Sequence, residues 1–190
     1  MTQQQIDTAR RAWKISCDVA DLIYLVNPPD IEHALWVSRL LFMTAAHESD
    51  DFKTRRQYGY KSWMSGGAFS LWQVEGATMS DCLGRLNLRR SDDPFYKRVV
   101  QYIVGSGLSP NALDLDPLVL LAMLKTEVGD PLGCVLTRLN YLQDSQPIPH
   151  TVEGIAEYAK RVHNTVKGKA TWDQYRAAYL RWITVVEGVL

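Results

Sequence analysis

Asp30-Ile31-Glu32-His33-Ala34-Leu35-Trp36-Val37-Ser38-Arg39-Leu40-Leu41-Phe42-Met43-Thr44-Ala45-Ala46-His47-Glu48-Ser49 is the stretch on which the reading of this chain turns. Asp30 can cap a helix, and Ala34, Val37, Leu41 and Ala45 then recur at i, i+3, i+7 and i+11 on one face. Three positions further along that stripe stands Glu48, a carboxylate where a core residue is expected. The helix thus carries one acidic group to the edge of the interior, immediately before Ser49.

On either side the same helical spacing continues between clear breaks. Gln4 to about Val26 places Ile6, Ala9, Trp13, Cys17, Ala20 and Tyr24 on a stripe, and Asn27-Pro28-Pro29 ends it because proline rejects a continuing helix. After Ser49 the pattern fails. Four glycines, Gly59, Gly66, Gly67 and Gly76, punctuate residues 50–77, which predicts a glycine-rich loop or short hairpin. Thr78-Met79-Ser80-Asp81 then predicts a helix towards Asn87, and Pro94 opens another. Asp116-Pro117 and Asp130-Pro131 each offer an acidic N-cap with proline at the first helical position, predicting two helices of about ten to fourteen residues. Pro147-Ile148-Pro149 precedes a helix through Tyr158, and Thr171 with Gln174 forms a capping box for the last. The fold class is therefore mainly α. Residues 1–190 read as one helical domain, with 1–27 an N-terminal helix that either packs on it or extends from it.

Composition narrows the function. The chain has 190 residues, 46% of them hydrophobic, enough to bury a sizeable core. Its 21 Lys and Arg balance 21 Asp and Glu, so no global positive field favours nucleic acid or an anionic membrane. Leu118 to Leu124, the longest aliphatic run, is far short of a membrane span, and the polar start Met1-Thr2-Gln3-Gln4-Gln5 is no signal peptide. Cys17, Cys82 and Cys134 have no metal or disulfide spacing and read as small buried hydrophobes. His47-Glu48 lacks the second histidine of a zinc protease helix, since position 51 is aspartate, and no nucleophile elbow or phosphate loop occurs. No metal and no cofactor is expected. A half-buried Glu48 can serve as a general acid; alternatively it is a helix-end carboxylate turned to solvent or paired with Arg55 or Arg56.

Further residues tip this choice. His47-Glu48-Ser49, then Ser65-Gly66-Gly67-Ala68-Phe69-Ser70-Leu71-Trp72-Gln73, then Ala77-Thr78 resemble the signature of soluble lytic transglycosylases and goose-type lysozymes, with 25 positions between Glu48 and Gln73. The resemblance extends to phage-encoded members through Arg56-Gln57, Glu75-Gly76-Ala77-Thr78, Arg138-Leu139-Asn140-Tyr141-Leu142 and His163-Asn164-Thr165, covering roughly residues 30–175. It implies a lysozyme-like helical domain that cuts the MurNAc–GlcNAc bond of peptidoglycan. It implies Glu48 as the catalytic residue and Ser49, Gln57, Tyr58, Trp72, Gln73 and Asn164 as substrate-binding. Four positions differ from the family pattern: Ser70 replaces a glycine, Asp50-Asp51 replace glycines, and His163 replaces a tyrosine. If position 70 requires positive φ, serine strains the turn.

In such enzymes a single glutamate protonates the leaving oxygen and then takes the proton from the sugar 6-hydroxyl as the 1,6-anhydro ring closes. Ordinary glycosidases use two carboxylates. Phe52 to Val74 contains no Asp or Glu, which favours the one-carboxylate mechanism. The arginines there are expected to face outward or towards wall carboxylates, because a cation on Glu48 would make it a poor acid. Gln73 binds either an N-acetyl carbonyl or its own loop; Asn164 binds substrate or Glu48, or ends a helix. Trp72, Tyr141 and Tyr158 have core packing as the alternative. The expected partners are peptidoglycan glycan strands and other phage virion or tail proteins. The expected location is the virion, or the host cytoplasm before release. A non-catalytic virion structural or ejection protein with the same fold is the competing reading.

Overall fold

Cap residues fix most helix starts in the computed structural model, which describes residues 1–22, 30–55, 67–89, 93–109, 111, 116–164 and 169–187. The chain is mainly helical: α1 (Gln3–Leu22), α2 (Ile31–Glu48), β1 (Ala68–Phe69), β2 (Val74–Glu75), α3 (Gly76–Arg89), α4 (Pro94–Gly105), α5 (Pro117–Leu124), α6 (Asp130–Tyr141), α7 (Val152–Val162) and α8 (Trp172–Val186). Asp30, Asp93, Asp116 and Thr151 each accept a backbone N–H of the first turn, and Thr171 and Gln174 form the reciprocal capping box.

Three expectations are corrected. Asp130 is not a cap: it lies inside α6, and its fully buried carboxylate takes Arg55 and Arg11. Two guanidiniums from distant segments outcompete a local backbone donor. The helix after Asp116 has only 8 residues, ending at Leu124 before a 3₁₀ turn at Glu127–Gly129. The helix expected from Thr78 starts at Gly76, directly after β2.

α2 is the central helix. From Leu40 to Ala46 every residue is buried, not just one stripe, because α1, α6, α7 and α8 surround it. A helix apolar on all sides can only be stable in that position. α1 packs on α2 and adds Ala9, Ala12, Trp13 and Val19 to the same core. Rings of Trp13, Phe42, Phe52, Tyr179 and Trp182 meet edge-on or tilted, tying α1, α2 and α8 to the segment after Glu48. Cys82 and Cys134 are buried, Cys17 is partly so, and all three are free thiols.

The described part of the glycine-rich stretch contains a minimal antiparallel hairpin, Ala68 opposite Glu75 and Phe69 opposite Val74. Its turn holds Ser70 at φ 69° and Gln73 at φ 49°. Position 70 thus adopts the conformation that favours glycine, and serine bears the strain.

Candidate active site

Glu48 is the last residue of α2, and the backbone beyond it turns sharply. Ser49 is fully buried; its Oγ donates to Ala45 O at 2.6 Å and accepts Phe52 N–H at 2.9 Å. Asp50, Asp51 and Phe52 follow with φ of 50°, 58° and 62°. Three successive left-handed residues cost energy without glycine. The compensation is tertiary: Phe52 is buried between Phe42 and Trp182, and Asp51 accepts Trp182 Nε1–H at 2.8 Å and pairs with Arg181. Gln5 of α1 also donates to Asp51 O, at 3.0 Å.

The turn leaves the Glu48 side chain 15% exposed at a junction of helix ends. Tyr175, in the first turn of α8, donates its hydroxyl to Glu48 Oε1. His163, which caps α7, places Nε2 4.0 Å from that oxygen, while its Nδ1 is buried without a partner. Asn164 bonds Tyr175 and accepts Lys160 Nζ–H at 3.2 Å. Behind them Tyr141 of α6 shares a 2.7 Å hydrogen bond with Thr44, and its carbonyl accepts the Tyr158 hydroxyl at 3.2 Å. The His47 ring lies over Tyr175, centroids 3.9 Å apart.

Burial dominates the electrostatics. It pushes the Tyr175 hydroxyl far above its ordinary range, and the Glu48 charge adds to this, so Tyr175 is a permanent hydrogen-bond donor at any working pH. Burial also holds the His47 imidazole below its ordinary range, with Glu48 opposing the shift. Arg55 is not on Glu48: it reaches Asp130 at 3.0 Å and Glu127 at 3.4 Å. Among the described residues no guanidinium pairs with Glu48.

The structure therefore brings Glu48 and Asn164 together through Tyr175, and adds Tyr175 and His163. Tyr175, Tyr179, Trp182 and Val186 mark one apolar stripe in the sequence, but spacing alone cannot join Tyr175 to a carboxylate 127 positions earlier. Two assignments are corrected. Trp72 is fully buried and donates Nε1–H to Leu41 O at 2.9 Å, so it is a packing residue rather than a substrate contact. Ser49 is likewise committed to the helix end. Gln73 is 6% exposed; its Nε2 donates to Ser70 O at 3.0 Å, and its Oε1 is enclosed without a partner. Gln57 and Tyr58 lie outside the described residues.

The other carboxylates near the site are engaged: Asp51 with α8, Asp50 with Lys53 at 3.1 Å, Asp130 with two arginines. An open depression of about 260 Å³ adjoins the site, lined by His47, Asp50, Asp51 and Arg181 among others. A more apolar one of about 290 Å³ lies between α3, α4 and the end of α6. Neither is lined by Glu48 or Gln73. Comparison with protein-family models, with curated proteins and with solved structures gives no match.

Proposed function

We propose that this chain is a phage peptidoglycan-cleaving protein of the lytic transglycosylase type, with a lysozyme-like helical domain and Glu48 as its catalytic residue. The observation that carries this reading is the setting of Glu48: mostly buried, free of any described guanidinium, and held by one hydroxyl donor. Such a carboxyl can give a proton to the glycosidic oxygen as the C1–O bond breaks. It then accepts the proton of the sugar 6-hydroxyl as that oxygen bonds to C1. Tyr175 steadies the carboxylate between the two transfers, and among the described residues the other carboxylates near the site are engaged elsewhere. The experiment is clearing of purified cell walls by the wild type and by Glu48→Gln. Clearing by the wild type that vanishes in the variant supports the reading; equal clearing by both overturns it.

A second reading has its own support. Gln73 turns its carboxamide onto its own loop, and Ser70 keeps a glycine-type conformation at a cost. These favour a virion structural or ejection protein that keeps the fold without cutting glycan. A folded wild type that clears no wall supports that role.

A further inference from the structure

The two oxygens of Glu48 stand in different settings. Oε1 takes the Tyr175 hydroxyl and faces His163 Nε2 at 4.0 Å. Oε2 is bonded to no described residue and is not enclosed, so it is the oxygen open to solvent at the site. One end of the carboxyl is held and the other is open.

His163 is fixed against the held end. Its backbone N–H bonds Ala159 O at 2.9 Å as α7 closes, its ring lies tilted against Tyr141 with centroids 6.1 Å apart, and its side chain is only 10% exposed. Nδ1 is enclosed with no hydrogen-bond partner. A proton on Nδ1 would be a buried N–H bonded to nothing, the rarer and costlier omission, whereas a bare ring nitrogen there forgoes only an acceptor's bond. The neutral imidazole therefore carries its proton on Nε2, the nitrogen that faces Glu48. The 4.0 Å gap is longer than a hydrogen bond, and catalytic contacts of this kind shorten, or are bridged by a water, once substrate is bound.

We infer that His163 is a positioning residue for Glu48: its Nε2–H is the second donor to Oε1, and Oε2 is the oxygen that exchanges the proton with the sugar. This role rests on the catalytic reading of Glu48. Oε2 gives its proton to the glycosidic oxygen as the C1–O bond breaks, and the charge left on the carboxylate strengthens both hydrogen bonds at Oε1. As the 6-hydroxyl oxygen bonds to C1, its proton passes to Oε2 and the two donors weaken again. A donor that favours the charged stage over the resting one acts on the rate and not on substrate binding. The neighbouring polar groups do not duplicate it: the His47 ring lies over Tyr175, and Asn164 is bonded to Tyr175 and Lys160.

The test is turnover of soluble, uncross-linked peptidoglycan strands by the full chain and three variants, together with nitrogen-15 NMR of the His163 imidazole at mildly alkaline pH. His163→Leu is expected to lower kcat about tenfold, through loss of one donor to a charged oxygen, with KM unchanged. His163→Gln, whose amide nitrogen stands near the place of the imidazole Nε2, should recover most of that rate; His163→Asn, whose amide ends at the level of Nδ1, should not. In the free wild type the NMR spectrum should show the proton on Nε2. A proton on Nδ1, a raised KM with kcat intact, or an active wild type matched by His163→Leu overturns this role and leaves Glu48 as the catalytic residue. A wild type that cleaves nothing overturns the catalytic reading and this role with it. Should His163→Leu not fold, the other two variants decide: a faster His163→Gln supports the role, and equal rates for His163→Gln and His163→Asn refute it.

Discussion

Gly133→Ala tests how the glutamine-bearing turn is seated. A Cβ on Gly133 would fall 2.4 Å from Ser70 Oγ and 2.6 Å from Ser70 Cβ, with Leu124 Cδ2 at an ordinary 3.6 Å. Ser70 cannot swing aside freely, because it is fully buried, held at φ 69°, and its Oγ accepts Trp72 N–H at 3.1 Å. Overpacking of this kind costs about 1–3 kcal/mol, while replacing a helical glycine by alanine returns about 1. The expected net loss is about 0–2 kcal/mol, with each kcal/mol worth about 2–4 °C in Tm at this chain length. Ser70→Gly removes both clashing atoms and the left-handed strain of about 1–2 kcal/mol, but gives up a hydrogen bond worth about 1. Alone it is expected to be near neutral. In that background Gly133→Ala should stabilise by about 1 kcal/mol, so the double-mutant cycle should show a coupling of about 1–3 kcal/mol by urea unfolding. Additivity within about 0.5 kcal/mol refutes the contact between the turn and α6.

Further expectations follow from the same packing. Trp72→Ala should cost about 3–5 kcal/mol, since it empties a fully buried indole and removes its hydrogen bond to Leu41 O; a surface role would leave denaturant midpoints unchanged. Tyr175→Phe should lower wall-clearing rates about tenfold, the equivalent of about 1.4 kcal/mol lost from one charge-assisted hydrogen bond, and an unchanged rate contradicts its role on Glu48. His47 and His33 both titrate below the ordinary 6.5 because burial favours their neutral forms. The unfolded chain therefore takes up protons first as pH falls below 6.5, and stability should decline from there down to their native values. Asp130, raised chiefly by burial, acts oppositely in more acid solution. Melting at pH 7.5 and 5.5 measures the decline, which His47→Gln should reduce; no decline in the wild type counts against the assignment.

How much of this was legible in the sequence depends on whether local chemistry or distant partners decide. The starts at Asp30, Pro94, Asp116 and Thr171 were readable because caps and prolines act within one turn. Asp130-Pro131 carries the same local signal as Asp116-Pro117, yet two arginines from other segments claim its carboxylate, and nothing nearby in sequence encodes them. Glu48 stood out because a carboxylate continued an apolar stripe, whereas Tyr175 and His163 reach it only through the packing of α7 and α8 on α2. The sequence raises strain at Ser70 only on the condition that the turn requires positive φ there, and the condition is met by the hairpin, which holds Ser70 at φ 69°. Its neighbour Trp72 followed ordinary core chemistry instead, because an indole beside a buried helix carbonyl is better packed than exposed.

Mass analysis of the fragments released from purified peptidoglycan is the most direct measurement of the role given to Glu48. The wild type should release muropeptides ending in 1,6-anhydro-N-acetylmuramic acid, each lighter by one water than the hydrolysed form, and Glu48→Gln should release none. Fragments released equally by the folded Glu48→Gln protein would contradict it.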